Sequence, residues 1–351
     1  MKPDQKSGLK PTVRLPLHSH YERVGSVFVD SEGWLLPRSF QNVEKEVDLL
    51  ERGEALVDFS DHGMLRMIGE ESVELLQRIA TNDFSHFEHG NLLQTSLLTE
   101  KGRIVDSILV LHCGDELLLF TSRGAAEMVQ QWIEKFIIME DISIVQGKKD
   151  SVLLISLMPR VNVGTQYSGC IGRCSYFGHD ASLYSYHSAD DALKSLGSRT
   201  SKIVGRDAFN YFRIMRGIPE YGREVVLDFN PLELGLWEQV SSTKGCYIGQ
   251  EVIARLETYK KIQRSLCTVR GNSLFQAEDV NRLMSGGIET GRITSISPDI
   301  REPKRSVGLA LVKQEYSRQG REFISDHGEI DVTIETVHDK RGILEFQGGS
   351  Q

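Results

Sequence analysis

The sequence predicts an α+β protein that ends in a small all-β unit. Through residue 262, apolar runs of strand length alternate with amphipathic helical stretches. Their order, strand–strand–helix–strands–helix, suits helices layered on sheets. From about residue 264 short alternating strands and glycine turns take over: SLCTVRG, GGIETGRITSIS, SVGLALV and GEIDVTIETV. That spacing belongs to a small barrel or sandwich. The 351 residues exceed the usual domain of about 100–200 residues. No low-complexity linker separates the parts, so they are expected to pack together.

The elements follow in order. Residues 1–14 are polar and expected to be loosely ordered. Val43, Val47 and Leu50 recur at helical spacing, and Gly53 stops that helix. ALVDF and MLRMI read as strands. In EESVELLQRIA, Val73, Leu76 and Ala80 form an apolar stripe. The run LLQTSLLTEKGRIVDSILVLHCGDELLLF reads as three strands joined at Glu100-Lys101-Gly102 and Gly114-Asp115. A helix from Ser122 to Phe136 follows, with Ser122 as its N-cap. Residues 151–200 repeat the theme: the strand SVLLISL, a glycine-rich turn region, and the helix ADDALKSLG. The helix DAFNYFRIMRG presents Ala208, Phe212 and Met215 on one face. Residues 250–258, QEVIARLET, read as a helix with Val252, Ile253 and Leu256 on its buried side.

Hydrophobic residues make up 40% and charged residues 26%, which fits a globular chain rather than a disordered or fibrous one. The net charge of −8 gives no overall basic footprint, so no direct nucleic-acid partner is expected, although Lys260, Lys261 and Arg264 make a local basic patch. The five cysteines, at 113, 170, 174, 246 and 267, are odd in number and irregular in spacing, unlike a disulfide framework. Cys170 and Cys174 lack a second Cys or His pair at ligand spacing, so no metal site is expected. No run reaches the ~18 apolar residues of a membrane span, and the N-terminus has no apolar signal segment. The expected compartment is the cytoplasm.

The segment KGCYIGQEVIARL, residues 244–256, is the most informative. Two glycines bracket Cys246-Tyr247-Ile248, so the backbone can bend there and approach a ligand closely. Cys246 sits just ahead of a helix N-terminus, with Lys244 two residues away, an arrangement that favours a thiolate. A lone cysteine is more often an inert small hydrophobe. Glu251 and Arg255 stand at i and i+4, the spacing of a surface ion pair. In RIVDSILV, Asp106 shares a strand face with Ile104, Ile108 and Val110. An acid there needs a partner or a cavity, or else a partly exposed edge. Asn82 and Asp83 read as turn formers. The scattered histidines, including His86 and His89 beside a polar loop, read as solvated, and the three tryptophans as packing.

KGCYIGQEVIAR resembles the signature K-G-C-[FY]-x-G-Q-E-x-x-[AS]-R of the folate-binding YgfZ family, with every fixed position met. The resemblance gives Cys246 a functional role, with Lys244, Gln250, Glu251 and Arg255 in support. The rest of the chain is similar to the wider family that includes the glycine-cleavage T-protein, an aminomethyltransferase. The matching strings are LHSHYERVGSVFVDSEGWLLP, LLQRIATNDFS, LLTEKGRIVDSILV, RGIPEYGREV and NPLELGL, followed by the C-terminal strands. They run from about residue 17 almost to the end, in family order.

The resemblance implies two intertwined ferredoxin-like α+β subdomains and a C-terminal β-barrel around a folate channel. The implied boundaries are 15–262 for the folate domain (subdomains about 53–148, and 15–52 with 149–262) and 263–351 for the barrel. It places Asp106 near the reactive end of folate, and Asn82 and Asp83 in a pocket wall. Tetrahydrofolate, or a one-carbon derivative, is the implied ligand. Its pterin pairs with carboxylates or amides, its aryl ring wants apolar walls, and its glutamate tail wants arginine. Asp106, Tyr221, Glu224, Glu233 and Arg255 supply such groups. Three strings depart from the T-protein. Met215 stands where that family has a pterin-binding Glu. Ser60-Asp61-His62-Gly63 replaces S-H-M-G, and His179 and Leu183 replace two acids. The implied function is a tetrahydrofolate-binding protein that supports iron–sulfur cluster assembly or repair. Its partners would be iron–sulfur enzymes, including tRNA-modifying ones, or assembly proteins. The alternative is an aminomethyltransferase that passes a one-carbon unit to tetrahydrofolate, and a third reading is a partner-binding scaffold.

Overall fold

The computed structural model describes residues 12–148, 150–157, 169–275, 282–325 and 331–339. The expectations for residues 1–11 and for the turn at 158–168 lie outside them. The first part contains β1 (Val13–Arg14), α1 (His18–Arg23), β2 (Val27–Ser31), β3 (Trp34–Ser39), α2 (Val43–Glu51) and β4 (Leu56–Asp58). Next come β5 (His62–Ile68), α3 (Ser72–Ile79), β6 (Leu92–Leu98), β7 (Ile104–Cys113), β8 (Glu116–Arg123), α4 (Ala126–Glu134) and β9 (Ser143–Gln146). The middle holds β10 (Val152–Leu157), β11 (Cys170–Tyr176), β12 (His179–Tyr186), α5 (Ala189–Leu196), β13 (Ile203–Val204), α6 (Arg206–Met215) and α7 (Gln250–Thr258). The last strands are β14 (Arg264–Gly271), β15 (Arg282–Ser285), β16 (Ile288–Pro298), β17 (Ser306–Lys313), β18 (Glu322–Ser325) and β19 (Asp331–His338).

Strands β5 to β9 form one antiparallel sheet, ordered β6-β7-β8-β5-β9. A second sheet is ordered β11-β12-β10-β4-β13. It takes β4 from before the first sheet and its other strands from after it, so the two units are intertwined along the chain. The barrel closes as β14-β17-β16-β15-β18-β19, which leaves it no open edge. The mixed α and β architecture with a terminal barrel is the predicted class.

One face of the first sheet packs on α3 and α4, where Leu75, Leu76, Ile79, Val129 and Ile133 meet Leu65, Met67 and Val110. A second core joins Leu109 and Phe120 of this sheet to Leu153, Ile155 and Leu183 of the other, to Phe209 and Phe212 of α6, and to Leu266 and Leu309 of the barrel. That core makes one body of the parts and surrounds the cavity described below.

Local signals explain several helix starts. Asn42 Oδ1 accepts from the Glu44 amide at 2.8 Å to cap α2, and Ser188 Oγ accepts from Asp191 N at 3.2 Å to cap α5. Ser122 does not cap α4. The helix starts at Ala126 after Ala125, and Ser122 is still in β8, because its hydroxyl is engaged elsewhere. The buried stripe of α3 is Leu75, Leu76 and Ile79 rather than Val73, Leu76 and Ala80, since Val73 is half-buried and Ala80 lies past the helix end. On α6, Ala208, Phe209, Phe212 and Ile214 are buried and Met215 only half so. On α7 only Ile253 is buried.

Strand β7 departs from simple alternation. Leu97 pairs with Asp106 but Leu98 with Ile104, so Val105 is an extra residue in a bulge. Ile104 therefore joins the central core, whereas Ile108 and Val110 join the α3–α4 core. Nor is Asp106 at an edge: β7 runs between β6 and β8.

The segments KGR and GCYIGQE meet in space. Gly249, at φ +83°, lies where a Cβ would stand 2.7 Å from the Thr99 carbonyl and 3.2 Å from Gly102 Cα. A Cβ on Gly102, at φ +69°, would stand 3.1 Å from Val252. Both positions need glycine, because α7 starts directly against the β6–β7 turn.

Candidate functional site

A cavity opens between the two sheets, the N-terminus of α6 and the turn at 218–225. Phe59, Phe120, Tyr176, Phe177 and Phe209 form its apolar walls, and Asp61, His62, Ser122, Arg123, Arg206 and Tyr221 its polar ones. About 810 Å³ lies between these walls, part of it open to solvent. The enclosed part is about 60 Å³, so a ligand of the roughly 300–1,000 Å³ class must extend into the open mouth. The Phe59 ring stacks on His62 at 4.2 Å between centroids, and Tyr176 and Phe209 approach its edge. These rings pack on one another, with Phe59 and Phe209 buried, and so form a firm apolar backing to the cavity.

Asp106 lies behind this wall with no exposed surface. Its carboxylate accepts from Ser122 Oγ at 2.6 Å, Ser122 N at 3.0 Å and Ser107 N at 2.8 Å. Burial pushes its pKa up to about 6, against the opposing pull of those hydrogen bonds and of His62. A carboxyl group poised near neutrality can hold or pass a proton at working pH.

A charged cluster lines the mouth. Asp61 holds His62 Nδ1 at 2.9 Å and Arg123 at 3.5 Å. Burial raises its pKa, but His62, Arg123 and Arg206 together bring it below the ordinary carboxylate value. Glu220 gathers Arg206, Arg213 at 3.0 Å and Arg223 at 3.3 Å. Burial lowers Arg206 to about 10 and Arg213 to about 9, so both remain cations at neutral pH.

The sequence-derived candidates divide into separate groups. Tyr221 lines the cavity, and Asp106 lies behind its wall. Asn82 is engaged with backbone: its amide donates to the Gln94 and Glu238 carbonyls at 2.8 and 3.0 Å. Asp83 accepts from Ser85 N and Gln77 Nε2, which lowers its pKa and fixes the turn. Lys244 Nζ reaches the Ala80 and Asn82 carbonyls at 2.8 and 2.6 Å and lies near the Phe84 and Tyr247 rings. It thereby fastens the signature loop to the Asn82-Asp83 turn, and burial brings its pKa down to about 8. Glu224 is fully buried between α6 and the barrel, where Ser295 Oγ donates to it at 2.6 Å. Glu233 accepts from Asn230 N and pairs with Arg103 at 3.6 Å, and burial raises its pKa. Gln250 donates to the Gly245 carbonyl at 3.3 Å, and Glu251 and Arg255 are exposed on α7. Cys246 is exposed. Among the described residues no group of three or more His, Cys, Asp or Glu is placed to hold a metal ion, and no helix is long and apolar enough to cross a membrane.

Sequence reasoning did not pick out Ser122, Tyr176, Arg123 or Arg206 as site residues. Asp61 and His62 entered only as departures from a family string. Nothing in spacing marks Arg206, the first residue of a helix whose buried face looks like ordinary core.

Comparison with known proteins gives the following. Residues 17–158 match the family model described as the GCVT N-terminal domain. An aminomethyltransferase of Halalkalibacterium halodurans is 26% identical over 344 residues, 89% of this chain and 93% of that protein. An aminomethyltransferase of Chlorobium luteolum is 26% identical over 357 residues, 91% and 95% of the two. A chloroplastic protein of Arabidopsis thaliana whose name calls it a transferase is 26% identical over 307 residues, 80% of this chain and 70% of its own length. The crystal structure of the glycine cleavage system aminomethyltransferase T from Bartonella henselae superposes with a TM-score of 0.74 at 20% identity, covering 93% of this chain and 97% of that one. The fold is thus the one seen in that aminomethyltransferase. The family match and the relatives together support the GcvT-like superfamily.

Proposed function

We propose that this chain, on its GcvT-like frame, binds tetrahydrofolate or a one-carbon derivative in the cavity in front of Asp106. We further propose that it serves iron–sulfur enzymes as a YgfZ-type protein. One observation carries the folate reading: a fully buried acid, held near neutrality, lies behind a cavity walled by aromatic rings and rimmed by arginines. The residues fit the ligand. Tyr176, backed by the buried Phe59 and Phe209, can offer an apolar face to a pterin or its aryl ring, Ser122 and Tyr221 can meet its polar edge, and Arg206 and Arg123 can draw its anionic tail. Met215, half-buried against the core, supplies no carboxylate, so pterin recognition falls to the Ser122–Asp106 side. The same reading divides the chain at 15–262 and 263–351.

The iron–sulfur role rests on the signature. Lys244 pins the loop, Gly249 lets α7 start against the β6–β7 turn, and Cys246 is left at the surface. A thiol presented this way is available to a client protein rather than to the cavity. We propose Cys246 as the contact thiol, with Gln250, Glu251 and Arg255 as its surroundings. The clients would be iron–sulfur enzymes, including those that modify tRNA, or their assembly proteins, in the cytoplasm. In cells lacking the native protein, Cys246→Ser is expected to restore less than half of an iron–sulfur enzyme's activity. Full rescue at equal protein level would remove the client role.

The second reading is aminomethyl transfer. It is favoured by relatives named aminomethyltransferase and by Asp106, a buried acid that bears on the cavity through Ser122. Formation of methylene-tetrahydrofolate from an aminomethyl-loaded carrier protein separates it from the first.

A further inference from the structure

Asp106 does not itself reach the cavity: Ser122 stands between them. Ser122 lines the cavity, whereas Asp106 is fully buried behind it. The serine grips the carboxylate twice, its Oγ donating to Oδ1 at 2.6 Å and its N–H to Oδ2 at 3.0 Å. Ser107 N donates to Oδ1 at 2.8 Å as a third contact. The grip also accounts for the late start of α4, since Ser122 is held in β8 by Asp106 instead of capping the helix.

We propose that Ser122 is the residue that touches the ligand, that it selects an N–H donor, and that Asp106 acts through it as a positioning residue. This rests on the folate reading of the cavity. A hydroxyl has one hydrogen and two lone pairs. With its hydrogen committed to Asp106, Ser122 Oγ presents only acceptor capacity to the cavity. With the N5–N8 edge of the pterin facing it, the N5–H or N8–H of the reduced ring satisfies it, whereas those nitrogens in the oxidised ring are bare and meet it lone pair to lone pair. The site therefore prefers the reduced form of folate by the direction of one hydrogen bond. Protonation of Asp106 reverses that direction. The carboxyl group can then donate to Ser122 Oγ, whose own hydrogen is freed to turn toward the ligand, and the preference for an N–H fades.

The groups facing this pair are His62 from β5, Tyr176 from β11, Tyr221 from the 218–225 turn, and Arg123 beside Ser122 on β8. Arg123 is held by Asp61 at 3.5 Å and Glu32 at 3.8 Å. From β6, Gln94 donates to Ser107 Oγ at 3.0 Å. His62 is the other ionisable side chain acting on this carboxylate, so the test must separate the two.

The experiment is an anaerobic titration of the full chain with tetrahydrofolate and with folic acid between pH 5 and 8, for the wild type, Ser122→Ala and Ser122→Thr. The wild type is expected to favour tetrahydrofolate by about tenfold or more at pH 7.5, as suits a charge-assisted hydrogen bond, and to lose that margin as pH falls through 6. Ser122→Ala is expected to bind the two ligands within about threefold of each other at every pH, and Ser122→Thr, which keeps the hydroxyl, to retain the preference. A preference and pH profile unchanged in a folded Ser122→Ala protein would overturn the assignment while leaving the folate reading intact. No binding of either ligand to the wild type would overturn both.

Discussion

Replacing Asp106 by Asn is expected to weaken tetrahydrofolate binding roughly 10- to 100-fold at pH 7.5. Hydrogen bonds to a charged group contribute about 1.5–3 kcal/mol, which corresponds to that factor. The charge is what aligns Ser122: its hydroxyl and amide both point at the carboxylate, and an Asn amide must set its own NH₂ against one of those donors. The pH dependence carries a sign. Burial raises Asp106 from the ordinary 3.8 to about 6, so the acid is ionised above that value and protonated below it. Wild-type affinity should be full above about pH 7 and fall as pH drops through 6, whereas Asp106→Asn should lose that step. The same shift acts oppositely on stability. A carboxyl group whose folded pKa is raised stabilises the fold when protonated, and that contribution is lost as pH rises through about 6. The protein thus keeps at neutral pH a buried charge that disfavours folding, as is common where a site needs it. Calorimetric titration at three pH values is the check. Affinity within twofold of wild type would remove Asp106 from the binding account. If the chain also transfers an aminomethyl group, its turnover should fall in the same variant by about 10–100-fold, since Asp106 acts through the hydrogen bond it fixes at Ser122.

The largest effect on stability is expected from Arg213→Ala. This side chain is 1% exposed and binds Glu220 at 3.0 Å, Glu224 at 3.5 Å, Asn210 Oδ1 and Ser295 Oγ each at 2.9 Å. It joins α6, the cavity-wall turn and barrel strand β16. Its removal leaves Glu224, which has no exposed surface, without its cation. Breaking a buried pair in this way costs about 3–5 kcal/mol, a fall in Tm on the order of 10 °C for a chain of this size. Thermal unfolding measures it, and Glu224→Gln combined with Arg213→Ala should recover part of the loss, because the unpaired charge goes too. A fall corresponding to less than about 1 kcal/mol would show that water reaches Glu224 and that the barrel is held by its apolar contacts alone.

Much of the fold was legible because its signals are local. The three strands from Leu92 to Phe120 are separated by Gly102 and Gly114, and both glycines adopt the positive φ their turns require. The barrel strands announced themselves by alternation, and α7 by its period after Gly249. What the sequence hid depends on tertiary competition. The bulge at Val105 cannot be read from β7 alone, since it exists only in register with β6. Ser122 has the composition of an N-cap, and a carboxylate sixteen residues earlier in the chain outcompetes the helix for it. The site was legible in part. Asp106 stood out as an acid in an apolar strand, and Tyr221 through its family string. Glu224 and Glu233 were of the right chemical type but are engaged away from the cavity walls. Lys244 is expected to support Cys246 and Asn82 to wall a pocket, and in the structure Lys244 Nζ donates to the Asn82 carbonyl at 2.6 Å. Arg206 was invisible, because an arginine at the start of an amphipathic helix looks like any solvated charge until the second sheet closes over it.

The claim that everything else leans on is that tetrahydrofolate occupies the cavity in front of Asp106. A crystal structure of the chain with tetrahydrofolate, grown anaerobically, tests this most directly. The account predicts the pterin against Tyr176, with its polar edge toward Tyr221, one ring N–H within hydrogen-bond distance of Ser122 Oγ and the tail toward Arg206. Ligand bound elsewhere, or an empty cavity at saturating tetrahydrofolate, would contradict it.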